Sequence, residues 1–155
     1  VRAGVRLGVD VGKVRIGVSR SDLHGVLATP VETVARSEDA ADRRRIGEIV
    51  TELEVFEIIV GLPLALSGAQ TASTADAIGF AAALEAEVGV PVRLVDERLS
   101  TVSAHSALRA SGKNSKSARP VVDQVAATII LQHALDAERA SGHPPGTPVE
   151  SNIGP

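Results

Sequence analysis

LGVDVGKVRIGVSR, residues 7–20, decides how the rest of the chain is read. Apolar residues run up to Gly12-Lys13 and resume after it, so Val5 to Val11 and Arg15 to Ser19 are predicted as two strands of a hairpin. Asp10 stands inside the first of them. Burying a carboxylate in a strand costs several kcal/mol unless something pairs with it. The strand therefore predicts a partner for Asp10, either a structural group or a ligand.

Outward from the hairpin, a third strand is expected over Val26 to Val34, with Pro30 marking an edge or a bulge. Residues 38–54 carry Ile46, Ile49, Val50 and Leu53 on one helical stripe. Glu57 to Leu62 (EIIVGL) is a continuous apolar strand of the buried parallel kind, ended by Gly61-Leu62-Pro63. Ala72 to Val88 reads as a helix stopped by Gly89 and Pro91, and Val92 to Val95 as the next strand. Ser100 or Thr101 can cap a helix to about Arg109. The last helix is expected over Arg119 to Arg139, with Pro120 in its first turn. The order β-β-β-α-β-α-β-α-α predicts an α/β protein: a mixed five-stranded sheet with helices on both faces. Residues 1–140 are read as a single domain, and 141–155, rich in Pro and Gly, as a disordered tail.

The 155 residues are enough for one sizeable core, and 44% apolar with 23% charged residues is ordinary for a globular protein. Cysteine is absent, which excludes disulfides and thiolate metal sites. No apolar run approaches the roughly 18 residues of a membrane span, and no secretory signal is visible, so a cytoplasmic protein without membrane contact is expected. The net charge of -3 conceals segregation: RASGKNSKSAR, residues 109–119, holds Arg109, Lys113, Lys116 and Arg119 and no acid. Only Phe56 and Phe80 are aromatic, which excludes base-stacking platforms and leaves phosphates as the contact for any nucleic acid.

Three acids stand out by placement. Asp10 is mid-strand, Glu97 follows Asp96 at a strand's C-terminal end, and Asp123 lies early in an apolar helix. Ligands of open α/β sheets gather outside the carboxyl ends of strands. Three acids meeting there repel one another, and Mg²⁺ or Mn²⁺ with oxygen ligands resolves the conflict. Two such ions about 4 Å apart can clamp the attacking and leaving oxygens of a phosphodiester. Each acid also has a plainer reading: a hydrogen-bonded structural carboxylate for Asp10, a solvated turn for Asp96-Glu97, a helix-dipole partner for Asp123. Lys13 and Arg15 flank the turn near Asp10 and can touch phosphate; the basic linker is either a solvated loop or a phosphate clamp. Arg43-Arg44-Arg45 fans around its helix as a solvated surface. P-loop, nucleophile-elbow and histidine-metal patterns are all missing.

GVDVGKVRIGVS (8–19), VGLPLALSG (60–68), VDERLST (95–101) and VDQVAATIILQ (122–132) together resemble the YqgF/RuvX family of Holliday-junction-resolvase-like proteins. The resemblance covers about Leu7 to Leu135 and implies a ribonuclease H-like fold with sheet order 3-2-1-4-5. It implies a divalent-metal site of Asp10, Glu97 and Asp123, with Arg98, Ser100 and Thr101 as phosphate contacts beside Asp96. It also implies a nuclease acting on nucleic acid, either the 5′ end of precursor 16S rRNA or four-way DNA junctions. A junction resolvase is expected to work as a homodimer, because the junction has two-fold symmetry. A non-catalytic RNA-binding factor and a nucleotide-hydrolysing single lobe are the alternatives. Ser19 stands where the family usually has Ala, and Ser67 where it often has Asp.

Overall fold

The computed structural model describes residues 2–97 and 115–149, with side chains from 122 onward in the second stretch. The six strands are β1 (Val5–Val11), β2 (Arg15–Ser21), β3 (Ala28–Ala35), β4 (Val55–Leu62), β5 (Val92–Asp96) and β6 (Thr147–Pro148). The helices described are α1 (Ala41–Leu53), α2 (Ala72–Val88) and α3 (Ser115–Ser141). The sheet order is β3-β2-β1-β4-β5-β6. The first three strands are antiparallel neighbours, whereas β1–β4 and β4–β5 are parallel pairs reached through helices.

The parallel centre explains why EIIVGL is apolar without alternation. Ile58 and Val60 join the core under α1 and α2, while Ile59 faces the other way, onto Ile130 and Leu131 of α3. Both faces of β4 are covered, so both faces must be apolar. On the first face α1 contributes Ile46, Ile49 and Val50, and α2 contributes Phe80, Ala81 and Leu84. Thr71 caps α2 through a capping box with Thr74, and Gly89, at φ 76°, ends it.

The α3 face is built on missing side chains. A Cβ on Gly8 would lie 2.9 Å from the Ala127 carbonyl oxygen, one on Gly17 1.9 Å from that of Asp123, and one on Gly61 2.6 Å from Ile130 Cδ1. Glycine in a strand interior thus lets the helix backbone come down onto the sheet. Ser19 Oγ, also on this face, donates to the Ala127 carbonyl at 2.8 Å. At the start of β1, Arg6 is 1% exposed and pairs with Glu138 of α3 at 3.1 Å. Arg2 joins Glu138 and Glu57, and both guanidinium groups lie over the Phe56 ring. α3 therefore runs antiparallel to β1, its C-terminal part over Arg6 and its N-terminal part over the end that carries Asp10.

Two expectations change. α3 begins at Ser115 rather than Arg119, so Pro120 lies in its second turn. Residues 141–149 are not a loose tail: β6 pairs with β5, and the buried Val149 donates its N–H to the Val92 carbonyl at 3.0 Å. The Pro/Gly-rich composition reflects a tight return, with Gly146 at φ 62° beside the Leu94 carbonyl, and Pro148 suits an edge strand. The helix expected from Ser100 or Thr101 to Arg109, and residues 150–155, lie outside the described residues.

Candidate active site

β1 and β2 pair so that Asp10 lies opposite Gly17. Both residues face α3, and the space above Gly17 is taken by the Asp123 carbonyl. The α3 backbone is thereby held over the strand that pairs with Asp10. From the other side, the Glu97 N–H donates to the Leu62 carbonyl at 3.3 Å, which carries the β4–β5 ladder one residue past β5. The Glu97 side chain then folds over Gly61, where a Cβ would fall 2.3 Å from its Oε2. Gly61 is the cradle that lets this carboxyl reach β1.

Glu97 is buried and hydrogen-bonded to Asp10, and its Oε2 has no hydrogen-bond partner among the described residues. Burial first, then the negative charge and hydrogen bond of Asp10, and last the charge of Asp96, push its carboxyl up to about 9. At neutral pH the two carboxyls therefore share a proton between them. The third acid is placed differently. Asp123 Oδ2 accepts from Arg15 Nε at 2.9 Å, with the two side chains 19% and 32% exposed. Asp10 and Glu97 meet, Asp123 lies alongside in an ion pair, and no group of three carboxylates forms a ready metal-holding cluster among the described residues.

The donor set still fits an oxygen-seeking divalent cation. An orphaned carboxylate oxygen over a glycine cradle, next to a second carboxyl carrying the shared proton, is what a hard cation would replace and satisfy. Asp10 and Glu97 could hold it at once; Asp123 has its Oδ2 engaged by Arg15.

The remaining predicted contacts divide. Lys13 is exposed on the β1–β2 turn, and its charge reaches Asp76 at the start of α2. Arg98, Ser100, Thr101, Arg109 and Lys113 lie outside the described residues, and of Lys116 and Arg119 only the helical backbone is described. Arg45 is spent on Glu32 and Glu48, and Arg43 on Glu87, in keeping with a surface role. Sequence reasoning missed Arg36, which donates to the Gly12 carbonyl at 2.8 Å and to Asp76 at 2.9 Å and so pins the turn that carries Lys13. It also missed Gly17 and Gly61, although a glycine inside a strand pattern was the available signal.

The family model described as RuvX, Holliday junction resolvase, matches residues 4–137. The chain belongs to this family. A protein of Leifsonia xyli subsp. xyli, named as a candidate pre-16S rRNA nuclease, is 81% identical over 155 residues, all of both chains. A Clavibacter michiganensis protein of the same name is 63% identical, covering 98% of this chain and 95% of its own. Among solved structures, Thermus thermophilus RuvC in complex with Holliday junction substrate superposes with a TM-score of 0.56 at 18% identity, covering 94% of this chain and 99% of that one. That likeness identifies the fold as ribonuclease H-like, as the sheet order also does. Among the described residues, no helix is long and apolar enough to cross a membrane.

Proposed function

We propose that this RuvX-family chain is a divalent-metal-dependent endonuclease on structured nucleic acid, acting at the 5′ end of precursor 16S rRNA, with four-way junction DNA as the second substrate class. The observation that carries the proposal is the buried Asp10–Glu97 pair, with Glu97 Oε2 orphaned over Gly61. Unpaired buried polar atoms are rare and expensive, so an orphaned oxygen on a carboxyl that already faces a second carboxyl favours a ligand there. The names carried by its relatives point the same way.

Asp10, Glu97 and Asp123 would hold Mg²⁺ or Mn²⁺, which supplies polarisation of a phosphodiester oxygen and a water of lowered pKa. The chain's own residues do the rest. Glu97 gives up the shared proton as the site loads, so that both carboxylates present charge. Lys13, on the turn that Arg36 ties to Asp76, would meet an incoming phosphate backbone. Arg15 offers a second cation two residues further on. No aromatic residue lines the described site, so recognition rests on phosphates and shape.

A cleavage assay with Mn²⁺ tests the proposal, offering a synthetic four-way junction and a precursor rRNA end side by side. Asp10→Asn and Glu97→Gln should each abolish cutting while leaving the unfolding transition cooperative. Equal activity in the variants, or binding of precursor rRNA by the parent with no cutting of either substrate, would turn the reading to a non-catalytic RNA factor.

A further inference from the structure

We infer that Arg15 is the residue that couples substrate to metal: it holds Asp123 aside in the free protein and surrenders it when a nucleic-acid phosphate takes the guanidinium. The inference rests on the metal site proposed above and adds how that site is assembled.

Three observations converge. First, Arg15 grips Asp123 through Nε alone, at 2.9 Å, and no other acceptor among the described residues engages its side chain. The Nη1/Nη2 fork, the bidentate face of a guanidinium, is left for a second anion. Second, the pair is part exposed, at 32% for Arg15 and 19% for Asp123, so a phosphate can reach it without opening the core. Third, the Asp123 backbone cannot wander. Its carbonyl rests on Gly17, whose Cα partner across the ladder is Asp10. Arg15 lies two residues from Gly17 on the same face of β2. The Asp123 backbone is thus held over the strand that pairs with Asp10, while its carboxylate is taken by Arg15. In the exchange we infer, the carboxylate turns from Arg15 toward the Asp10–Glu97 pair by rotation of its own side chain.

The charges make this exchange directional. Without ligands, the cation of Arg15 neutralises Asp123 and spares the buried pair a third negative neighbour. A phosphate attracts Arg15 and a divalent cation repels it, so each ligand removes the contact that hinders the other. By linkage, nucleic acid must tighten metal binding and metal must tighten nucleic-acid binding by the same factor. The full carboxylate set then comes together only where there is a phosphate to cut, which keeps the idle protein from holding a loaded site.

The test reads metal affinity directly. Free Mn²⁺ is counted by electron paramagnetic resonance over the full-length protein without nucleic acid, for the parent, Arg15→Gln, Lys13→Gln and Asp123→Asn. Arg15→Gln should tighten Mn²⁺ by about tenfold, an ordinary coupling factor. Lys13→Gln removes the same charge close by without touching Asp123 and should give only a small gain. In an Asp123→Asn background the Arg15→Gln gain should shrink to that of Lys13→Gln. Arg15→Lys, which keeps the charge but not the Nε bond, should fall between. In a metal-free arm with EDTA, where no cutting occurs, the Arg15 Nε–H resonance should move when a four-way junction or a precursor rRNA end is added. Equal gains from Arg15→Gln and Lys13→Gln, or an unmoved Nε–H signal with nucleic acid bound, would overturn the exchange and leave the metal site standing. Absence of Mn²⁺ binding in parent and Arg15→Gln alike would instead remove the proposed metal site, and the exchange with it.

Discussion

Alanine at Gly17 is the sharpest perturbation the fold offers. The added Cβ would sit 1.9 Å from the Asp123 carbonyl oxygen and 2.3 Å from its carbonyl carbon. Both are backbone atoms of a helix and cannot swing aside as a flexible side chain would. Restoring an ordinary contact requires α3 to withdraw by about 1.5 Å at this point. Overpacking of this kind costs about 1–3 kcal/mol, and more where the neighbour is rigid. Gly8 and Gly61 hold the same helix down, so the strain cannot be relieved by a simple shift. Asp123 moves with the helix, and a misplacement of about 1 Å is worth roughly a hundredfold in rate. Gly79 provides the control, since its new Cβ, on the exposed side of α2, meets nothing within 4 Å. Alanine there should stabilise by about 0.5–1 kcal/mol through helix propensity. Urea unfolding of both variants should therefore give shifts of opposite sign, with Mn²⁺-dependent cleavage falling about a hundredfold in Gly17→Ala alone. A Gly17→Ala protein within about 0.5 kcal/mol of the parent would refute the backbone-contact argument.

Other outcomes follow from the charged groups. Burial and Asp10 raise the Glu97 carboxyl to about 9, so between pH 4.5 and 9 the unfolded chain ionises it while the metal-free fold keeps it protonated. Stability must then fall as pH rises through that window. Glu97→Gln should raise the melting temperature of metal-free protein at pH 8 and change it little at pH 4; equal shifts at both would count against the buried proton. Metal loading must displace that proton, so Mn²⁺ binding measured by calorimetry in buffers of different ionisation enthalpy should release close to one proton at pH 7. Glu138 responds the other way. Burial lifts its carboxyl, but hydrogen bonds from Arg2 and the charges of Arg6 and Arg2 outweigh this and hold it below 4.5. Its contribution is present above pH 4.5 and lost as pH falls below it, so Glu138→Gln should flatten the acid limb of the stability curve. It should also destabilise the neutral protein, because Arg6 would keep only the Gly4 and Arg2 carbonyls and lose its buried counter-charge. A thermal scan from pH 2 to 7 that superposes on the parent would exclude that role.

What the sequence disclosed, and what it hid, follows from the range of the interactions. The hairpin around Gly12-Lys13 and the strand EIIVGL were legible because alternation and continuous apolarity are local consequences of one-sided and two-sided burial. Asp10 was legible as an acid inside a buried strand that demands a partner, whereas Glu97 stood out only by its place at a strand's C-terminal end, where a solvated turn was the plainer reading. The Arg15–Asp123 pair was not, because its members are 108 positions apart and the register that joins them is set by glycines with no side chain to announce it. Nothing local singles out Arg6, and only the tertiary fold reveals Glu138 beneath it. The chain's last described stretch was misjudged because proline and glycine serve a tight return as well as a solvated tail.

That return has a practical corollary. β6 shields the rim of β5, which would otherwise offer a row of open N–H and C=O groups to any passing strand. Trimming the molecule at residue 140 to obtain a tidier crystallisation target would unzip this hem and vacate the place of Val149. Such a product should precipitate or swap segments between molecules, whereas a fusion attached after residue 149 leaves the seam closed.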